Sequence, residues 1–403
     1  MSDCTELPPA FVARGREREG QEGMPMGFSV TTTVALIGAN GHGRHHRRHL
    51  AALPGVRLVA LADPRPVEPD PPVPDGVQVF TDHRALLAAA RPDVAVICTP
   101  PHTHLPIATD ALRAGCDVLL EKPPVQTLAE HRALTAVVRE TGRACQVGFQ
   151  ALGSRAAARL WDAVAREEVT RIAAVASWQR DDAYYARAPW AGRRSLGGRP
   201  VVDGALVNPL AHAVMQCLAT AAAAGAGAPV ALEAERYRTR PIEADDTAFA
   251  RLTLDGGLRI LAAVTLAGEE YIAGEIIVDG TAGRAVLEYP TDRLALPGEP
   301  ELREVPGRTG LLENLVAHRA DPSVPLLAPL SRTEPFTTVV EWLTGPDVPP
   351  PVLLDARHVE DHAGVRVIPG VDAVLRRAAE EMALPSEIGV TWAGAPYRRP
   401  PAR

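Results

Sequence analysis

From Thr33 onward the chain alternates short, wholly apolar runs with stretches in which apolar residues recur every three or four positions. The runs at residues 33–38, 57–63, 77–80, 94–98, 117–120 and 144–149 have the texture of strands buried on both faces, and residues 44–53, 84–90, 105–114 and 128–141 that of the helices between them. Thr127 followed by Glu130 makes a capping box for the last of these helices, and Gly115 stops the one before it. Such alternation predicts a doubly wound parallel sheet. One crossover breaks the rule: Pro64, Pro66, Pro69, Pro71, Pro72 and Pro74 exclude a helix after the second strand, because interior prolines cost about 3 kcal/mol each. An extended loop over residues 64–75 is expected there.

The second half reads differently. Residues 171–178, 230–238, 247–254, 258–267, 275–279 and 284–289 look like strands, several joined by turns such as Asp255-Gly256-Gly257 and Asp279-Gly280-Thr281. Consecutive hairpins predict a large, mostly antiparallel sheet, with helices at about 209–224, 311–320, 335–343 and 371–382 packing on it. The fold class is therefore α/β followed by α+β, with a leader at 1–29, a first domain at 30–150 and a second at 151–403. The leader is polar, rich in Arg and Glu, and expected to be disordered, with Met24 or Met26 equally able to be the start. In the second domain alternate residues such as Ile260, Ala262, Val264, Ile276 and Val278 need cover from water, and a second subunit is expected to supply it.

Composition narrows the function class. At 403 residues, 46% hydrophobic and 23% charged, the chain can fill about two domains. A net charge of -7 gives no electrostatic reason to expect nucleic acid or an anionic membrane as partner. Cys4, Cys98, Cys116, Cys145 and Cys217 are odd in number, scattered and without a CxxC pair, which suits buried thiols in a reducing, cytoplasmic setting. No window of 18 uninterrupted apolar residues exists.

The chemistry gathers where the parallel strands end. The first strand runs into Gly38-Ala39-Asn40-Gly41-His42-Gly43, close to the G-x-G-x-x-G fingerprint with Asn40 at the second glycine position. Asp63 closes the second strand twenty residues after Gly43, where an acid binds ribose hydroxyls and repels a 2′-phosphate. NAD is the expected cofactor, with NADP left open by Arg65. The proline loop then borders the adenosine pocket. After the fourth strand, Thr99, Pro100, Pro101 and His104 are expected to touch the nicotinamide; a plain proline turn with a helix cap explains them equally well. The fifth strand ends in Glu121-Lys122-Pro123, which puts a lysine at the ligand-binding edge. The cluster His42, His45, His46 and His49 has no interleaved carboxylate, so no metal is expected.

The GANGHG turn, the terminal ALAD, CTPPHTH, ALRAGCDVLLEKPP and the closing QVGF together resemble the glucose-fructose oxidoreductase / inositol dehydrogenase (Gfo/Idh/MocA) family over nearly the whole chain. The resemblance implies a Rossmann domain followed by a domain on a large, mostly antiparallel sheet, oxidation of a sugar or cyclitol hydroxyl with NAD or NADP, and assembly as a homo-oligomer. It assigns Lys122 to the site beside nicotinamide and substrate. The family's second signature, an acid four residues before a histidine, matches Asn208 and His212, with Asn208 where the acid is usual. Asn208 followed by Pro209 also reads as a helix cap with His212 one turn inside. A neutral amide cannot stabilise an imidazolium as a carboxylate would, so Asp203 or Lys122 takes on more of the proton handling.

Many members carry an arginine near the position of Leu152. Its replacement is sought in residues 178–194, where Trp178, Tyr184, Tyr185 and Trp190 make four of the chain's eleven Trp and Tyr residues within 13 positions, interspersed with Arg180 and Arg187. Such a mixture suits sugar rings, and equally an interface between subunits. The expected function is an NAD(P)-dependent oxidoreductase acting on a secondary hydroxyl of a sugar, cyclitol or related polyol. Lys122, His212 and Asn208 are its expected catalytic residues. Glycoside cleavage through transient oxidation, and dinucleotide sensing without turnover, are the alternatives.

Overall fold

The structure is a computed structural model and describes residues 31–399. The expected leader at 1–29, with Cys4, Met24 and Met26, lies outside the described residues. The first sheet is built from β1 (Thr32–Ile37), β2 (Val56–Ala62), β3 (Gln78–Phe80), β4 (Val94–Ile97), β5 (Asp117–Leu120) and β6 (Cys145–Val147). The connecting helices are α1 (Gly43–Ala52), α2 (His83–Ala90), α3 (His104–Arg113) and α4 (Leu128–Thr141). All strands pair in parallel, in the order β3-β2-β1-β4-β5-β6. The direction of winding reverses between β1 and β4, so a crevice opens at their carboxyl ends. Val34, Leu36, Val96, Ile97 and Leu120 are fully covered by the flanking helices, which is why these strands read as unbroken apolar runs. The Thr127–Glu130 capping box is formed.

Residues 64–75 contain no helix. They are strapped to the start of α1 instead. The Asn40 amide donates to Pro66 O at 3.0 Å and accepts from the Glu68 backbone N–H at 2.8 Å, while Arg47 donates to the carbonyls of Glu68 and Pro71.

The rest of the chain forms α5 (Arg155–Val164), β7 (Val169–Gln179), α6 (Asp182–Ala186), β8 (Ser195–Leu196), β9 (Arg199–Pro200), α7 (Ala211–Ala223), β10 (Pro229–Arg238), β11 (Thr247–Leu254) and β12 (Arg259–Thr265). There follow β13 (Ala267–Gly280), β14 (Gly283–Glu288), β15 (Arg293–Ala295), β16 (Arg303–Glu304), α8 (Leu311–Ala320), α9 (Glu334–Thr344), β17 (Val352–Leu353), β18 (Glu360–His362), β19 (Val365–Val367), α10 (Val371–Glu381) and β20 (Tyr397–Arg399). Ten strands make one sheet in the order β16-β15-β14-β13-β7-β12-β11-β10-β17, with β20 also on β10. The expected hairpins are present. The sheet is nevertheless mixed, because β7 inserts between β13 and β12 and pairs with β12 in parallel. The expected strand at 258–267 ends at Thr265, and after Leu266 the chain enters the irregular strand β13. Gly268 sits at one irregularity because a Cβ there would lie 1.7 Å from Ser177 Oγ.

Both faces of this sheet are covered by the chain itself. Ile260, Ala262, Val264, Ile276 and Val278 join the main core with Ala156 and Leu160 of α5 and Val214 and Leu218 of α7. On the opposite face Ala173, Val175, Phe249, Leu261 and Ala263 pack with Val371, Leu375 and Ala378 of α10 and with Leu384 and Ile388 beyond it. The alternating residues that call for cover thus find it intramolecularly, and the need for a second subunit inferred from them disappears.

Residues 311–344 return to the first domain. Arg319 of α8 bridges Asp117 and Asp93 at 2.7 and 2.6 Å, and the His131 ring of α4 meets Leu330 O at 3.0 Å. No helix among the described residues is long and apolar enough to cross a membrane.

Candidate active site

The β1–α1 turn fits a dinucleotide. Gly38 takes φ +90°, and a Cβ on it would meet Cys98 O at 2.2 Å; a Cβ on Gly43 would meet Gly38 O at 2.0 Å. These two glycines allow the tight turn and the close seating of α1. Gly41, at φ +57°, faces open space, leaving a shelf at the helix start where phosphate groups are favoured. Asn40 fills the second glycine position for a reason of its own, as the clamp of the proline loop described above. The buried Asp63 carboxylate accepts the backbone N–H groups of Asn40 and Arg65 at 3.2 and 3.0 Å. Each oxygen retains accepting capacity for a ribose hydroxyl. Titration calorimetry should show tighter binding of NAD than of NADP; the reverse order would reject the role given to Asp63.

At the end of β4, Thr99 and Pro100 lie at the rim, and the Thr103 hydroxyl donates within this turn. His104 departs from expectation. It is 1% exposed, with Nδ1 2.9 Å from Pro123 O and Nε2 2.8 Å from Thr99 O. Both ring nitrogens face backbone carbonyls, to one of which a neutral ring donates, so His104 packs the loops of Thr99 and Pro123 together and turns neither nitrogen to a ligand.

Glu121 and Lys122 end β5. Burial would push the Glu121 carboxyl up, but hydrogen bonds from His42 and His46 hold it well below the usual range. Gly148 is needed beside it, since a Cβ there would lie 2.8 Å from Glu121 Oε2. Gln150 adds a contact to Oε1 at 3.3 Å. Lys122 Nζ donates to Asn208 O at 2.8 Å and Oδ1 at 2.9 Å. The Asn208 amide in turn donates to Asp203 Oδ1 at 2.9 Å, and Asp203 Oδ2 accepts the Gly192 N–H at 2.6 Å. A chain Lys122–Asn208–Asp203 therefore links the ammonium to a buried carboxylate. Burial lowers the Lys122 pKa; Glu121 and Asp203 oppose this and Arg187 adds to it.

Asn208 is not the cap of α7, as the sequence suggests. That helix begins at Ala211 after Leu210, because the Asn208 side chain is engaged by Lys122 and Asp203. His212 stands in its first turn, edge-on to Phe149 at 5.7 Å, and its Nδ1 is buried without a protein partner. Burial, and then Lys122, push its pKa down to about 3, so the ring is neutral near pH 7.

The aromatic segment divides. Trp178 is buried and donates to Ala273 O at 3.0 Å, which makes it a core residue and not a substrate contact. The Arg180 guanidinium lies 5.1 Å from the rings of Trp178 and of Tyr184. Arg187 lies 3.6 Å from the Tyr184 ring and 4.8 Å from the Trp190 ring, stacks that spend part of the aromatic surface within the protein. Tyr185 packs under Arg240 at 4.7 Å with its hydroxyl buried and unpartnered. Leu152 is buried. Gln150, Gly192, Arg240 and Arg308, which lowers the His212 pKa, carry no motif in the sequence.

Residues 32–149 match the family of oxidoreductases with an NAD-binding Rossmann fold, Gfo/Idh/MocA. Over 119 residues the chain is 31% identical to D-glucoside 3-dehydrogenase of Escherichia coli K12, covering 29% of this chain and 34% of that protein. It is 31% identical over 118 residues to scyllo-inositol 2-dehydrogenase (NAD(+)) of Bacillus subtilis 168, covering 28% and 34%. The match thus spans about a third of the length of these curated relatives. The WlbA dehydrogenase from Bordetella pertussis, solved with NADH and UDP-GlcNAcA, superposes with a TM-score of 0.65 at 20% identity over 81% of this chain and 100% of that one, a likeness of fold. Residues 32–149 of this chain are therefore similar to the NAD-binding Rossmann domain of the Gfo/Idh/MocA oxidoreductases.

Proposed function

We propose that the protein is an NAD-dependent dehydrogenase that oxidises a secondary hydroxyl of a sugar, cyclitol or related polyol. The observation that carries this reading is the half-buried Lys122 amine, fixed by two acceptors of Asn208, with His212 close enough to feel its charge and carrying an Nδ1 that has no protein partner. A bound polyol supplies such a partner. The names of the curated relatives point to the same substrate class.

In the direction of oxidation, His212 Nδ1 orients the substrate hydroxyl. The neutral Lys122 amine accepts its proton, and the ammonium so formed keeps two N–H bonds on Asn208 and turns the third toward the substrate oxygen. When bound, the nicotinamide supplies the acceptor for the hydride leaving the carbinol carbon. Burial favours the neutral amine, and Asp203, acting through the Asn208 amide, favours the charged one.

Oxidation should therefore quicken as pH rises through the depressed Lys122 pKa. Asp203→Asn removes a charge that raises this pKa, so its rate profile should move to lower pH. Asn208→Asp places a carboxylate against the ammonium and should move the profile to higher pH. Steady-state profiles of the two variants decide the matter, and shifts of the same sign, or none, would refute lysine as the base.

A further inference from the structure

The histidines of α1 have no carboxylate near them in sequence, but the fold brings one from another strand. His42 and His46 are four residues apart, which sets them on one face of the helix. Glu121, at the end of β5, meets that face: its Oε1 is 2.9 Å from His46 Nε2 and 3.6 Å from His42 Nε2. One ligand atom from each of the three residues lies within 4.8 Å of the others. We propose that His42, His46 and Glu121 form a binding site for a single divalent metal ion of the zinc type, at the floor of the dinucleotide crevice.

Metal–ligand bonds of about 2.0–2.1 Å in a tetrahedron place neighbouring ligand atoms about 3.3 Å apart. The two measured separations from Oε1 bracket that value. His46 at 2.9 Å and His42 at 3.6 Å converge on the same carboxylate oxygen, with the two imidazole rings edge-on at 5.4 Å. Two imidazoles and one carboxylate select zinc or cobalt over magnesium or calcium, which prefer all-oxygen sites.

The supporting groups are in place as well. The Lys122 backbone N–H donates to Glu121 Oε2 at 3.2 Å, and Gln150 donates to Oε1 at 3.3 Å, fixing the carboxylate from outside. The side chains of Glu121 and His46 are 9% and 11% exposed, and His42 is 33% exposed, so the cluster is shielded on the sheet side and open on the other. Three protein ligands with a fourth position open describe zinc sites that bind an exchangeable ligand, not closed structural ones. His42 directly follows Gly41, whose α-carbon faces open space, so the open position adjoins the phosphate shelf.

The test uses untagged, full-length protein stripped with a chelator, without dinucleotide or substrate, so its outcome is independent of the dehydrogenase reading. Titration with Co(II) should produce the intense visible bands of a four- or five-coordinate ion, saturating at one ion per chain and erased by Zn(II). His42→Asn preserves the His46–Glu121 hydrogen bond and should weaken Co(II) binding at least 100-fold, more than the loss of an outer-shell partner costs. Glu121→Gln and His46→Asn should do the same. His49→Asn, whose ring pairs with Glu313 at 3.0 Å, should bind as the parent does. Absence of saturable one-site binding, a purely octahedral spectrum, or bands undiminished in a folded His42→Asn variant would overturn the proposal.

Discussion

Lys122→Ala should lower turnover on an accepted polyol about a thousandfold while leaving NAD affinity nearly unchanged. The loss corresponds to about 4 kcal/mol of transition-state stabilisation, the scale expected when a group that meets developing charge is removed. Nζ has no role in the phosphate cradle: its two protein contacts are both with Asn208, 86 residues away in the second domain. The split between an unchanged dissociation constant for NAD and a collapsed rate distinguishes a residue acting on the reacting hydroxyl from one that holds the cofactor. His212→Ala should act in the same direction and less strongly, since a ring that is neutral and far below its ordinary pKa orients the hydroxyl without carrying the proton. Parent-like turnover in Lys122→Ala, with NAD saturation confirmed, would remove lysine from the mechanism.

Leu375→Ala should destabilise the folded protein by about 2–5 kcal/mol, the cost of emptying a fully buried leucine site. Leu375 is 0% exposed and packs from α10 against the β7–β12 region of the large sheet. That face is apolar across Ala173, Val175, Phe249, Leu261 and Ala263, and α10 is what keeps water from it. Loosening the helix should also reveal a surface prone to self-association, visible as a concentration-dependent mass by light scattering. Denaturant melts of parent and variant measure the stability term. A loss under 1 kcal/mol with no change in mass would mean that α10 is not the cover.

Much of the first domain is legible in the sequence because its signals are local. Apolar runs, the glycine turn and the Thr127–Glu130 box each specify a structure within a few residues, and the helix at 128–141 has the expected ends. Lys122 is legible too, since any residue that closes β5 must stand at the ligand edge. What the sequence hides depends on distant partners. Nothing in the chain near Asn208 announces that Lys122 and Asp203 will claim its amide in place of a helix cap. Trp178 looks like a sugar platform until the fold buries it against Ala273. The parallel pairing of β7 with β12 joins segments about ninety residues apart, and local hairpin signals cannot foretell it. The cover of Ile260, Ala262, Val264, Ile276 and Val278 by α5 and α7 likewise comes from segments distant in sequence, so these apolar residues suggested a second subunit.

The central claim is net hydride transfer from a polyol carbinol to NAD, and the direct measurement is the stoichiometry of that transfer. Purified protein is incubated with excess NAD and a panel of inositols, free sugars and glucosides, and reduced nicotinamide and organic product are quantified together. At least one substrate should yield one reduced nicotinamide per ketone formed, with the ketone carbon at a former secondary alcohol. Release of an aglycone at catalytic NAD without net reduction, or tight NAD binding with no turnover across the panel, would contradict it.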